Sequence, residues 1–380
     1  MTGRGKLTIL LTLKDRAEFT LRWMSYAERT HLPYRVLIAD GGMGDEAGRI
    51  LADQARFPHV DYEYRRFPPD VSYRQYYEKI DEALAQVSTP YVVMADNDDF
   101  LFAPVLEQSI RFLDAHPGYI ASGGQNALFW VVPDPARPDE RVYGDRVDWK
   151  CASHMRSNEA PTALERLRDQ SLSITDSLFY CVKRIEEARR QFGLVRKLQL
   201  KDLFLMEILV HYLTIIAGPT KCFDGLFLAR QHNSPGSSGI EHEHRFGDWL
   251  GRMLVDTWST DFANVRDTIG AALAAADGID QAEARDHVVQ IYRHDAAPAL
   301  LSDLLGEPTI TLRMLSVLPA VRRLVAMPEE SLLRRAARRL YRSIRWISLD
   351  AALGTQFLAR PVPNAERDFR LVHDFLAKRP

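Results

Sequence analysis

The chain has 380 residues and a formal net charge of -2, a near-neutral balance that excludes the broad basic surface of a general nucleic-acid binder. With 46% apolar and 26% charged residues it has the composition of an ordinary globular protein. The length exceeds one typical domain, so a larger unit followed by a helical extension is expected. Three cysteines, Cys151, Cys181 and Cys222, lie far apart with no C-x-x-C pair, which fits buried thiols in a reducing compartment. Met1 to Lys6 is too short and polar to begin a signal peptide, and no apolar run reaches the ~18 residues of a transmembrane helix. The expected location is cytoplasmic.

In chain order, Leu7 to Leu13 is an apolar, β-prone run, followed by a helical pattern from Ala17 to Arg29. Tyr34 to Ala39 repeats the strand signal and ends at Asp40-Gly41-Gly42; a helix from Asp45 to Ala55 and a weaker strand from Val60 to Tyr64 follow. A helix over Ser72 to Val87 precedes the buried strand Pro90 to Ala95, which delivers Asp96-Asn97-Asp98-Asp99 at its end, and another helix spans Pro104 to Ala115. This alternation predicts an α/β fold with a mainly parallel sheet and helices on both faces. Ligands then bind where the carboxyl ends of the strands meet, so the polar residues after Leu13, Ala39 and Ala95 should converge.

Beyond residue 118 the pattern loosens. Tyr119 to Ser122, Leu128 to Val132, Leu178 to Val182 and Cys222 to Ala229 read as strands, Pro133 to Arg141 as a loop, and Asp202 to Ala217 as a strongly apolar helix closed by Gly218-Pro219. Residues 231–239 form a Gly/Ser-rich loop, after which helix signals dominate.

Two carboxylates one residue apart after a buried strand make a compact hard-oxygen site for Mg²⁺ or Mn²⁺, a cation that also bridges phosphate oxygens. Alone, such a triplet serves equally as a turn and helix cap. Its place as the fourth β element of a β/α series favours the metal reading.

The segment Ala95-Asp96-Asn97-Asp98-Asp99-Phe100, set in that series, resembles family-2 glycosyltransferases of the GT-A (Rossmann-like) fold, over about residues 6 to 240. The resemblance implies a catalytic domain at 1–240 with a helical extension at 241–380. It also implies a metal-dependent, inverting transfer from a nucleoside-diphosphate sugar, a UDP-sugar first among them, to a glycan, lipid-linked or protein acceptor in bacterial surface polysaccharide or glycoconjugate synthesis. On the same footing, Thr12 and Arg16 occupy the first nucleotide-contact loop, where Asp15 replaces the family's usual Asn. Asp40 contacts base or ribose, Asp96 and Asn97 face the donor, and Asp98 binds Mn²⁺ or Mg²⁺. Arg230-Gln231-His232 is similar to the family's Arg-x-His, in which the His completes the metal shell.

Inversion needs a carboxylate to take the acceptor's proton. Asp202 stands at its helix start, where family-2 enzymes place the catalytic acid residue, whereas Glu207 better matches the spacing to Gly218. Both remain candidates. Arg74 and Lys79 read as solvated helix-face charges, with phosphate neutralisation as the alternative, and His242 and His244 in Glu241-His242-Glu243-His244 also read as solvated, with a second metal site as the alternative. A helix over Glu329 to Ser348, apolar on one face and arginine-rich on the other, reads as an ordinary packed helix, with peripheral contact to an anionic membrane as the alternative. Two competing functions are a nucleotidyltransferase, which normally opens with a Gly-rich loop that Leu13-Lys14-Asp15-Arg16 lacks, and a non-catalytic nucleotide-sugar-binding protein.

Overall fold

A computed structural model describes residues 5–151, 155–170, 177–306 and 362–377. The first half is built of β1 (Leu7–Leu13), α1 (Ala17–Arg29), β2 (Arg35–Asp40), α2 (Glu46–Leu51), β3 (Tyr62–Arg66), α3 (Tyr73–Gln86), β4 (Tyr91–Asp96), the short β5 (Phe100–Leu101) and α4 (Ala103–Ala115). β6 (Ala121–Val132), β7 (Arg146–Cys151), α5 (Ala163–Asp169), β8 (Val182–Arg184), α6 (Ile185–Leu198), α7 (Leu203–Ala217) and β9 (Thr220–Gln231) follow. Helices α8 (Ser238–Phe246), α9 (Trp249–Met253), α10 (Asp256–Asp277), α11 (Gln281–Gly306) and α12 (Ala365–Ala377) complete the described chain.

The strands form one nine-stranded sheet of order β3-β2-β1-β4-β8-β6-β9-β5, with β7 paired to β6. β1, β2, β3, β4, β6 and β9 share one direction, whereas β5, β7 and β8 oppose it. Every residue of β1 is buried, as a central parallel strand covered on both faces requires. The chain steps outward from β1 through β2 to β3 and then crosses back to β4 on the other side of β1. With right-handed crossovers, α1 and α2 cover one face and α3 the other. Progression therefore reverses between β1 and β4, and a crevice opens beyond their carboxyl ends.

Several element boundaries differ from the sequence expectation. The runs expected at 119–122 and 128–132 merge into one strand, β6, which starts at Ala121 and continues through Gly123-Gly124-Gln125-Asn126, with its register against β9 shifting there. Glycine is required at this point: a Cβ on Gly124 would lie 2.6 Å from the Gly225 carbonyl oxygen and 2.8 Å from Val105. The helix expected over 45–55 is a short α2 plus a separate turn at Gln54–Arg56, and the strand expected over 178–182 is a turn at Leu178–Tyr180 followed by β8. β7, α5 and α6 have no counterpart in the sequence reading.

In α7 only Glu207 and Ala217 are not buried. α12 returns to the sheet and buries Phe369, Val372, Phe375 and Leu376 against Phe100, Phe129 and Val131, with Trp149 stacked on Phe369 at 4.3 Å between centroids. Each such aromatic contributes roughly 1.5–3 kcal/mol of burial, enough to fasten this helix to the strands behind the crevice. No helix among the described residues is long and apolar enough to cross a membrane. The basic helix expected over Glu329 to Ser348 lies outside the described residues.

Candidate active site

The turn leaving β1 is unusual, because Asp15 and Arg16 both adopt left-handed backbone angles, with φ of 56° and 59°. Two adjacent non-glycine residues there carry steric cost that surrounding contacts must offset. Asp15 Oδ1 accepts the Met43 and Gly44 amides at 2.7 and 3.2 Å, tying this turn to the one after β2. Gly42 is forced by that approach, since a Cβ would lie 2.7 Å from the Asp15 nitrogen. Asp40, at the end of β2, is buried and accepts the Tyr64 hydroxyl at 2.6 Å, an Arg66 guanidinium nitrogen at 2.8 Å and the Gly42 amide at 2.7 Å. Lys79 is buried rather than solvated: its ammonium donates to the Leu13 carbonyl at 2.8 Å and pairs with buried Asp70. It braces the crevice floor from beneath. Arg74 is exposed and pairs with Glu78 along its own helix.

β4 delivers the acidic run into the crevice. Asp96, Asp98 and Asp99 each present an oxygen within 4.8 Å of the others. Asp96 accepts the Tyr180 hydroxyl at 2.6 Å and Thr12 Oγ1 at 3.3 Å. Burial and the neighbouring Asp98 raise its carboxyl above the ordinary range. Burial also opposes ionisation of Asp98, but Arg16, Ser234 and Arg22 outweigh it and hold that carboxyl below the usual range. Arg16 Nη2 stands 3.0 Å from Asp98 Oδ2 and contacts Ser234 Oγ. Asp99 is pushed well up by burial, against the nearby Arg230, whose Nε lies 3.2 Å away, and it accepts the Gln231 amide at 3.1 Å. Asn97 is buried and turns toward α1, its amide donating to Thr20 Oγ1 at 3.1 Å and to the Arg16 carbonyl at 3.4 Å. Beneath them Arg22, fully buried, donates to the Asp98 carbonyl at 3.0 Å and to Gln231 at 2.7 Å.

The two candidate bases have contrasting surroundings. Asp202 caps α7 by accepting the Leu205 amide at 2.9 Å, and is held by Arg252 at 3.1 Å and by His242 Nε2 at 3.4 Å. Burial works against its charge, yet His242 and Arg252 keep its carboxyl below the usual range. Glu207 is half-buried and makes no hydrogen bond or ion pair among the described residues. Burial first, then the Asp96 charge, opposed by Arg230, push its carboxyl up to about 7. His242 is buried rather than solvated, its Nδ1 2.8 Å from the Tyr73 hydroxyl, while His244 is exposed. His232 is exposed, its ring edge-on to Trp130 at 5.2 Å. It is not among the residues whose oxygens or nitrogens meet at the acidic cluster.

The donor set suits a divalent cation of the Mn²⁺ or Mg²⁺ kind: hard carboxylate oxygens, close together, at the rim of a polar crevice. Tyr180 and Ser234 complete the site without having been singled out in the sequence, where Arg230 figures only as the start of the Arg-x-His motif. Tyr180 and Arg230 belong to one network, with the guanidinium 4.6 Å above the phenol ring. Burial disfavours the Arg230 charge, but Tyr180, Asp99, Glu207 and Asp96 outweigh that and raise its pKa. Ser234 was within reach of sequence reasoning as part of the loop after Arg230-Gln231-His232; Tyr180 carried no signal.

No family model matches the chain, and no curated protein does. Solved structures similar to it include TarS of S. aureus, at 12% identity and a TM-score of 0.46, over 85% of this chain. The chain spans about half of that protein, 49%. The 1–349 portion of TarS in complex with UDP-GlcNAc is also similar, at 12% identity and a TM-score of 0.45 over 93% of each chain. So is the mannosyltransferase PcManGT of Pyrobaculum calidifontis in complex with GDP-Man and Mn²⁺, at 11% identity and a TM-score of 0.40 over 93% of this chain and 86% of that one.

Proposed function

We propose that this protein is an inverting glycosyltransferase that moves a sugar from a nucleoside-diphosphate sugar, a UDP-sugar first among candidates, to a hydroxyl of a glycan or lipid-linked acceptor. The observation that carries this reading is Glu207. A half-buried carboxylate with no hydrogen-bond or ion-pair partner among the described residues, its pKa raised to about 7 and beside an acidic cluster at a strand-end crevice, is the environment a general base needs. Asp202 is already committed to a helix cap, to the Arg252 guanidinium and to the His242 ring, so Glu207 takes the catalytic role here.

In this reading Asp40 and its turn receive the base or ribose, and Thr12 and Asp96 line the path to the sugar. Asp98, with Asp96, holds Mn²⁺ or Mg²⁺. When bound, that cation stabilises the charge that develops on the departing diphosphate. Arg230, whose positive charge is secured by its neighbours, faces the same leaving group. Glu207 accepts the acceptor hydroxyl's proton as the new glycosidic bond forms and the sugar–phosphate bond breaks. His232 reaches the cation only if the loop after β9 moves inward. The catalytic unit is assigned to residues 1–240 and the helices of 241–380 to its support, with bacterial surface-glycan synthesis as the setting.

The test is calorimetry of a panel of nucleotide sugars with and without Mn²⁺, repeated on Asp98→Ala. Metal-dependent binding that the substitution abolishes is expected. If no nucleotide sugar binds under either condition, the reading fails.

A further inference from the structure

Three chain segments meet on a single guanidinium. Arg16 lies in the turn after β1, Asp98 follows β4, and Ser234 follows β9. Arg16 Nη2 serves both partners, at 3.0 Å from Asp98 Oδ2 and in contact with the fully buried Ser234. The guanidinium rests on the Phe19 ring at 4.2 Å from its centroid, and the Asn97 amide holds the Arg16 carbonyl. Its Nε is buried and makes no hydrogen bond among the described residues. The side chain is thus anchored through one nitrogen while a second donor is left unsatisfied, a poor use of a group whose fork suits two-point contact with a phosphate.

Resting on the function proposed above, we infer that Arg16 is a latch: its guanidinium competes with the divalent cation for Asp98, and the donor's diphosphate draws it away. A cation bound to Asp98 Oδ2 stands where Arg16 Nη2 now approaches, and two positive centres on one oxygen repel. A diphosphate offers the guanidinium a pair of anionic acceptors, satisfying both Nη2 and Nε. Moving Arg16 onto it frees Asp98 for the metal and releases Ser234, hence the loop carrying His232. Cation and diphosphate are then linked through one side chain, and each strengthens the other's binding by the same factor.

Mn²⁺ binding to the full chain, read from the paramagnetic resonance signal of the free ion, tests this. Without nucleotide, Arg16→Met should bind Mn²⁺ about tenfold more tightly than the unaltered protein, within the range usual for linked sites. Without metal, the same variant should bind UDP or GDP about tenfold more weakly. Ser234→Ala, which removes only the latch's second contact, should tighten Mn²⁺ binding in the same direction by a smaller factor, and it decides the matter if Arg16→Met does not fold. Equal or weaker Mn²⁺ binding in a folded variant overturns the inference. If Mn²⁺ binds none of the proteins while nucleotide sugars still bind, the latch is overturned and the transfer reading stands without a metal. If Mn²⁺ binds but no nucleotide does, the transfer reading is overturned together with the linkage.

Discussion

Replacing Glu207 by Gln separates catalysis from folding in one protein. The amide keeps the shape of the side chain but cannot accept a proton, so loss of general-base catalysis should lower kcat by roughly 10²–10⁴-fold with nucleotide-sugar affinity little changed. The effect on stability has the opposite sign. The carboxyl is raised from 4.5 to about 7, burial being the leading cause. Below pH ~4.5 it is protonated in both folded and unfolded chains and costs nothing. Between there and pH 7 the unfolded chain ionises first, so stability falls as pH rises, and the full penalty applies above the folded pKa. A shift of about 2.5 units corresponds to at most about 3.4 kcal/mol; partial exposure of the side chain reduces this to roughly 1–2 kcal/mol. Glu207→Gln should therefore melt several degrees higher than the unaltered protein at pH 8 and at the same temperature at pH 4, while single-turnover transfer falls by roughly the same 10²–10⁴-fold. In the unaltered protein the rate should rise with pH through an apparent pKa near 7. A variant that transfers within threefold of the original, or one that melts lower at pH 8, would refute the assignment.

Asp202→Asn should instead cost about 3–5 kcal/mol in denaturant unfolding, because buried Arg252 loses its counter-charge. Transfer at low temperature should persist, and its loss in a variant with a native melting curve would return Asp202 to the role of base. The Asp202 carboxyl is held below its ordinary 3.8, so its stabilising effect is present above that value and fades as the pH falls through the lower folded one. Tyr180→Phe removes the hydroxyl that Asp96 accepts at 2.6 Å, a charged hydrogen bond of about 1.5–3 kcal/mol; kcat/KM should drop roughly 10–100-fold, and an unchanged value would dissociate Tyr180 from the site. Gly42→Ala places a Cβ 2.7 Å from the Asp15 nitrogen. The backbone must shift, so nucleotide affinity measured by calorimetry should fall at least several-fold, by about 1–3 kcal/mol of strain, and affinity equal to the original would exclude this turn from the donor site.

The crevice was legible in the sequence where local pattern alone builds it. A largely apolar β1 and β4, each running into polar residues at its end, announce parallel strands with a site there, and the structure pairs them directly. What local pattern could not reveal are partners brought in by the chain's return. Tyr180 reaches Asp96 across 84 residues and Arg230 reaches Asp99 across 131; Tyr180 reads simply as a strand residue, and the Arg-x-His motif marks Arg230 without naming Asp99 as its partner. Lys79 and His242 were misjudged for one reason. Each is a polar residue on a helix with a mixed pattern, and only tertiary packing reveals the buried counter-charge, Asp70 or Asp202, that makes its burial tolerable. α6 was missed because its charged residues, Arg189 and Arg190 among them, mask the buried stripe of Ile185, Ala188, Phe192 and Val195.

The charges at the end of β4 also account for the way a donor and a cation would enter. Asp96, Asp98 and Asp99 face Arg16, Arg22 and Arg230, each cation within hydrogen-bonding or Coulombic reach of the run. A crevice already balanced in this way gains little from a lone dication, which adds positive charge beside three guanidinium groups, and equally little from a lone diphosphate beside three carboxylates. Entering together they nearly cancel, and the Arg16 and Arg230 guanidinium groups, which now pair with Asp98 and Asp99, would turn to phosphate without any buried charge being left unpaired. The same acidic run that on its own would serve as a helix cap is thereby suited to a metal–diphosphate pair, and the arginines around it set the condition for admitting one.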